Sequence, residues 1–172
     1  YKKSVKSMNL LNSLEQHPPS YGNTIKMLIS GDEAYPEMLN SIASAKKNIN
    51  LQSYIFSDDN IGYEFANALI SKARAGVQIR IIYDPIGSIK TGGTFWKNLM
   101  KNGIKVAPFG ALNIWKRKLR INFRNHRKNL IVDGTTVFSG GLNISDNNFS
   151  KYCSDNNCFI HIFSRKSHYM RP

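Results

Sequence analysis

Residues 125–143 read Asn125-His126-Arg127-Lys128-Asn129-Leu130-Ile131-Val132-Asp133-Gly134-Thr135-Thr136-Val137-Phe138-Ser139-Gly140-Gly141-Leu142-Asn143. Leu130-Ile131-Val132 has the apolar, β-branched character of a buried strand. Asp133-Gly134 is a hairpin turn signal, and Thr136-Val137-Phe138 is the return strand. His126 and Lys128 lie two residues apart on the strand leading in, so both project from one face. Asn143 follows the Gly140-Gly141 pair and can be brought back beside them. Glycines there let the backbone approach an anion closely. One face then presents an imidazole, an ammonium and a carboxamide. A neutral imidazole is a competent nucleophile near neutral pH. Lys128 and Asn143 can stabilise negative charge on non-bridging phosphate oxygens as it develops.

Upstream, short apolar strands alternate with amphipathic stretches. Ile25, Met27 and Ile29 alternate with Lys26 and Leu28 in a strand-like run. A helix is expected to open near Pro36, with Met38, Leu39, Ile42 and Ala45 on one face. Ile49–Phe56 reads as a buried strand. Asp58-Asp59-Asn60 is a turn able to cap a helix whose stripe is Phe65, Ala66, Leu69, Ile70 and Ala73, closed by Gly76. A strand over Val77–Ile81 ends at Tyr83-Asp84-Pro85. A third helix carries Phe95, Trp96, Leu99 and Met100 and closes at Gly103, before a strand over Ile104–Phe109. This alternation predicts an α/β domain with a largely parallel sheet, whose functional groups gather beyond the strand ends. Asp84 sits at such an end; its reading as a turn-former before Pro85 is preferred to a catalytic one.

The chain has 172 residues, enough for one domain with a sizeable core. Its 24 Lys and Arg against 11 Asp and Glu favour an anionic partner: nucleic acid, lipid headgroups or a phosphorylated substrate. The basic residues concentrate in Lys116, Arg117, Lys118, Arg120, Arg124, Arg127 and Lys128, a run entering His126 that reads as a phosphate-facing surface rather than only a lysine-protected edge strand. Cys153 and Cys158 are read as free thiols. No histidine or further cysteine completes a zinc set around them, so no metal or cofactor is expected. No stretch approaches the roughly 18 apolar residues of a membrane span.

His-x-Lys, four residues, Asp, six residues and Gly-Gly-x-Asn match the signature of the phospholipase D superfamily at every defined position. The Arg124-Asn125-His126-Arg127-Lys128 entry and the Gly140–Asp146 exit resemble bacterial cardiolipin synthases in particular. The resemblance continues through Tyr54-Ile55-Phe56, Asp59, Gly62, Lys72-Ala73, Gly76-Val77, Asp84 and Gly87-Ser88. It implies an α/β/α sandwich around a mixed, largely parallel sheet. It also implies two such motifs across a shared cleft, one histidine forming a phosphohistidine and the other acting as acid and base. By position, His126 is then nucleophile or acid/base. Lys128 and Asn143 are phosphate ligands, and Gly140 and Gly141 supply the close-approach backbone. Asp133 belongs to the signature set, although its place in the hairpin turn suggests structure more than chemistry. Asp155 is the nearest counterpart of a histidine-orienting carboxylate.

The chain divides on this reading into a basic arm over 1–23, a phospholipase D-like domain over 24–163 with its motif at 126–143, and a basic tail over 164–172. Only one motif is present, so the second is expected from a missing C-terminal half or from a homodimer partner. The implied activity is phosphatidyl transfer between two phosphatidylglycerol molecules. That places a full-length protein at the bacterial cytoplasmic membrane, with this segment soluble or peripheral. Two other expectations stand beside it: a metal-independent homodimeric phosphodiesterase or nuclease, with nucleic acid the less favoured partner, and an inactive half that only binds anionic lipid.

Overall fold

In the computed structural model the described residues are 23–110 and 124–149, together with the backbone of 160–166. The first strand, β1 (Asn23–Ile29), leads into α1 (Ser30–Ser44), β2 (Asn48–Ser53), α2 (Asn60–Arg74) and β3 (Gln78–Tyr83). These are followed by α3 (Gly93–Lys101), β4 (Lys105–Pro108), β5 (Asn129–Val132), β6 (Thr136–Gly140), a 3-10 turn (Asp146–Asn148) and β7 (Ile160–Lys166). The seven strands form one mixed sheet in the order β1-β7-β6-β5-β2-β3-β4. Among the strands, parallel pairing is confined to β2, β3 and β4. The other four pairings are antiparallel, because the hairpin β5-β6 and the returning β7 extend the sheet on the other side.

Alternation along the strands decides which face is covered. Ile49 and Leu51 of β2 stand beside Ile79 and Ile81 of β3 and Val132 and Leu130 of β5, and Phe138 of β6 faces Leu130. All are buried in one core with Ala34, Tyr35, Met38 and Ile42 of α1, Phe65 and Leu69 of α2, and Phe95, Trp96 and Leu99 of α3. The three described helices therefore cover one face of the sheet. The opposite face of β2 and β3 carries Asn48, Asn50, Gln52, Gln78 and Arg80, and among the described residues no helix lies on it. A polar, partly solvated face is what an alternating rather than a continuous apolar strand produces.

Three elements differ from the sequence reading. The helix expected near Pro36 begins at Ser30, and Pro36 lies inside it. The start is set by Glu33, whose carboxylate accepts the Ile29 N–H at 2.8 Å, and by Ser30 Oγ, which accepts the Asp32 N–H at 3.3 Å. The bond that Pro36 cannot donate would have gone to the carbonyl of Asp32, an exposed residue of the first turn. In β1 only Leu28 is buried, while Ile25 and Met27 are 69% and 58% exposed. Pairing with β7 sets that phase by placing Lys26 on the core side, from which its ammonium reaches Glu37 of α1. Finally, β7 runs to Lys166, past residue 163 where the sequence reading ends the domain in a basic tail, since Lys166 and Arg165 pair with Asn23 and Thr24.

The predicted caps are where the sequence put them. Asp59 caps α2 by accepting the Gly62 N–H at 3.0 Å, and Gly76 and Gly103 close their helices at positive φ. The hairpin turn has positive φ at both Asp133 and Gly134, with Thr135 N–H donating to Val132 O at 3.1 Å. This is the primed turn geometry that an Asp-Gly pair selects.

Asp133 does more than turn the chain. Its carboxylate accepts the backbone N–H groups of Lys46, Lys47 and Asn48 at 2.9, 2.7 and 2.9 Å, fastening the α1–β2 connection to the hairpin. Burial raises its pKa, but those three donors and the Lys47 ammonium outweigh burial and hold the carboxyl below the usual range. A depressed folded-state value means that the unfolded chain binds the extra proton first. Its contribution is thus full above the unfolded carboxylate pKa of about 3.9 and lost as pH falls through the folded value. Thermal melts of Asp133→Asn should show a loss of about 1–3 kcal/mol at pH 7 that shrinks toward pH 3. A deficit that is constant with pH would contradict this role.

Candidate active site

The site assembles around Tyr54, just beyond the end of β2. The His126 imidazole lies against the Tyr54 ring, centroids 3.9 Å apart and planes inclined by 26°. Lys128 Nζ stands 5.2 Å from the same ring's centroid and donates to the His126 carbonyl at 2.8 Å. Asn143 arrives from the other side, its Oδ1 accepting the Ile55 N–H at 3.2 Å. With that oxygen occupied, the Asn143 amide offers its NH2 to an acceptor such as a phosphate oxygen. His126, Lys128 and Asn143, picked out by spacing, therefore converge on Tyr54-Ile55. His126 is exposed and Lys128 half-buried, and desolvation draws the Lys128 pKa below its ordinary value.

Each of these groups is held by atoms far away in sequence. Asp84, only 1% exposed, uses Oδ1 to accept the Ile86 and Gly87 N–H groups at 2.9 and 2.8 Å. Its Oδ2 accepts the Asn125 N–H at 2.9 Å, next to His126. Asp84 is thus the turn-former expected and also the clamp on the motif's entry. Burial raises its pKa, but the N–H groups of Gly87, Asn125 and Ile86 and the charge of Arg124 prevail, so it stays low and ionised. The turn it shapes supports Tyr54. A Cβ on Gly87 would sit 2.3 Å from the Tyr54 carbonyl and within 2.9 Å of its ring, so only glycine allows the approach. Ser88 Oγ donates to the Tyr54 carbonyl at 3.2 Å and accepts the Phe56 N–H at 3.1 Å.

The Asn143 side is fastened equally firmly. Ile144 bridges Phe56 in parallel, with Ile144 N–H to Ile55 O at 3.0 Å and Ser57 N–H to Ile144 O at 2.9 Å. The buried Tyr35 hydroxyl lies 2.8 Å from the Asn143 carbonyl and 2.9 Å from that of Ser145. Burial, ahead of the nearby carboxylates Asp59 and Asp146, pushes the Tyr35 hydroxyl pKa far up, keeping it a neutral donor. Asp59 and Asp146 cross-cap the next helix. Asp146 accepts the Asn60 and Ile61 N–H groups, and Asp59 accepts the Asp146 N–H at 2.8 Å and Ser145 Oγ at 3.0 Å.

Not every expected site residue joins this cluster. Asp133 stands at the opposite end of β5 from Lys128, occupied by three backbone donors, so it touches neither His126 nor Lys128. A strand of four residues separates them by about 13 Å. Gly140 lines a small cleft with Lys128, Asn129 and Ser139 that reaches down to Met38, Leu51 and Phe138; Gly141 follows it between β6 and Asn143. Asp155, both cysteines and the basic run over 116–123 lie outside the described residues. Among the described residues no three His, Cys, Asp or Glu side chains gather as a metal site.

Tyr54 was legible only as part of a resemblance, and its stack makes a direct prediction. Ring current should shift the His126 imidazole protons upfield in the wild type and in Tyr54→Phe, and the shift should vanish in Tyr54→Leu. Side-chain carbon-proton spectra, assigned with His126→Gln, read this out. Unmoved His126 resonances in folded Tyr54→Leu would contradict the stack.

Residues 38–169, well over half of the chain, match the family described as "Cardiolipin synthase, PLD-like domain". A cardiolipin synthase of Halalkalibacterium halodurans is 35% identical over 142 residues, covering 83% of this chain and 28% of that protein. The major cardiolipin synthase ClsA of Bacillus subtilis is 39% identical over 124 residues, 72% of this chain and 26% of its own length. The chain thus spans little more than a quarter of the relatives it matches. In fold it is similar to Nuc of Salmonella typhimurium, a phospholipase D family member, with TM-score 0.62, 22% identity and 84% of each chain covered. With the motif, the sheet and these relatives in agreement, the chain belongs to the phospholipase D-like domain family of the cardiolipin synthases.

Proposed function

We propose that this chain supplies one motif of a phosphatidyltransferase of cardiolipin synthase type, with phosphatidylglycerol as donor and acceptor. The observation that carries the reading is the convergence of His126, Lys128 and Asn143 on Tyr54-Ile55, in a chain 35% identical to a cardiolipin synthase. The His126 imidazole attacks phosphorus of the first phosphatidylglycerol and forms a P–N bond. The P–O bond to the headgroup glycerol breaks, and the glycerol leaves with a proton from the histidine of a second motif. That histidine then removes the proton from the headgroup hydroxyl of a second phosphatidylglycerol. Attack of that oxygen breaks the P–N bond, releases cardiolipin and restores His126. Lys128 and the Asn143 NH2 hold the non-bridging oxygens, whose charge grows in each transition state. Lys128 performs this as the cation; its lowered pKa brings the loss of that charge closer to neutral pH than for a free lysine.

The second motif comes from a further half or from a second copy of the chain. The full protein works at the bacterial cytoplasmic membrane, with this segment soluble or peripheral to it. No described helix is long and apolar enough to cross a membrane. A second reading, a homodimeric metal-independent phosphodiesterase acting on DNA, has one observation in its favour: the formal net charge of +13, which suits a polyanion.

The test is phosphatidylglycerol vesicles in EDTA with the chain in its self-associated form, and with a longer protein that carries it beside a second motif. Cardiolipin and glycerol should appear in equal amounts in at least one of these. His126→Ala should lose at least about a thousandfold, as removal of a nucleophile does. EDTA-resistant DNA cleavage without any cardiolipin would favour the second reading, and neither product from folded, assembled protein would overturn both.

A further inference from the structure

The turn that supports Tyr54 also carries an exposed apolar tip. Ile89 is 75% and Ile86 37% exposed, three residues apart on one loop. The loop is not loosely held. Asp84 binds the Ile86 and Gly87 N–H groups, Ser88 N–H donates to Asp84 O at 2.9 Å, and Ile89 N–H to Ile86 O at 3.3 Å. Beyond the tip, Thr91 Oγ1 donates to Phe56 O at 2.6 Å, and Gly92 N–H to Asp58 Oδ2 at 3.0 Å. The two apolar side chains are therefore displayed on a hydrogen-bonded frame.

Their position relative to the site is equally fixed. Gly87, between them, lies under the Tyr54 ring, and His126 is stacked against that ring. Basic residues adjoin the tip and the histidine: exposed Lys90 follows Ile89, exposed Arg127 follows His126, and Arg124 lies close enough to Asp84 to lower its pKa, while the carboxylate of Asp58 is occupied by the Gly92 N–H. Apolar side chains within a basic rim fit the boundary between anionic phospholipid headgroups and acyl chains, where both terms favour binding. A nucleic-acid groove would instead call for basic or stacking groups at the tip.

We propose that Ile86 and Ile89 insert into an anionic phospholipid surface, with Lys90, Arg124 and Arg127 meeting its headgroups, and so set His126 at the depth of the lipid phosphates. This rests on the phospholipid reading of the site, but its test needs no turnover. Flotation with vesicles of equal phosphatidylglycerol and phosphatidylcholine should capture the wild type. The double variant Ile86→Ser/Ile89→Ser should partition on the order of tenfold or more weakly, since each buried methylene group contributes to insertion. In Ile89→Trp, brominated phosphatidylglycerol should quench the added indole beyond the wild-type background. Equal vesicle binding by the double variant would overturn the proposal, as would an unquenched indole. A change from dimer to monomer in the double variant, seen by light scattering, would also overturn it and mark the tip as an interface between copies. Soluble short-chain phosphatidylglycerol, which needs no docking, reads the chemistry separately, so failure of the surface and failure of the site are distinguishable.

Discussion

The buried carboxylate of Asp84 is the constraint on which the site's geometry depends. It sits at the end of β3, deep enough that an unpaired charge would be costly, and meets three backbone donors instead. Two of them shape the turn over 84–88, and the third belongs to Asn125, immediately before His126. One group therefore fixes both the support under Tyr54 and the entry of the motif strand. Because the donors are peptide N–H groups, the arrangement can be specified without any particular neighbouring side chain. Its demand falls on Gly87, where any side chain would collide with Tyr54.

The rest of the architecture serves the same end of the sheet. Parallel strands β2 and β3 bring Ser53-Tyr54 and Tyr83-Asp84 out side by side. Antiparallel β5 enters beside β2 from there, so Lys128 meets Tyr54 just outside the sheet. The return from β6 is tied by Tyr35, Asp59 and Asp146, which place Asn143 at Ile55. Asp133 fastens the far end of the hairpin to the α1–β2 connection. A phosphate bound there as proposed would meet side chains whose backbones are already ordered, which keeps the entropic cost of assembling the site low.

What the sequence disclosed follows from the range of the interactions concerned. His126 and Lys128 share a face because of strand periodicity, and Asp133-Gly134 turns because of its own backbone preferences; both are local and both were readable. The same holds for the caps at Asp59, Gly76 and Gly103. Tyr54 and Asp84 act on residues 72 and 41 positions away, and nothing in their neighbourhoods announces such partners. Tyr35 is a further example: it precedes the helix as read from Pro36, and only the fold reveals its hydroxyl at the Asn143 loop. The antiparallel side of the mixed sheet was less legible for the same reason. Helix-strand alternation reports the two parallel strand pairings, whereas two of the antiparallel ones depend on the hairpin β5-β6 and where it docks, and two on where β7 returns. Pro36 misled on the start of α1 because a proline preference for the first turn was weighed without the Glu33 contact to Ile29.

The central claim is that His126, oriented by Tyr54 and by the Asp84 clamp, is the nucleophile of a phosphatidyl transfer. The most direct measurement is the mass of the peptide containing His126 after the assembled protein is mixed with phosphatidylglycerol and quenched within the first turnovers at alkaline pH. The account predicts an acid-labile phosphatidyl adduct on His126, absent from His126→Ala. Cardiolipin formation with His126 unmodified, or undiminished in His126→Ala, would contradict it.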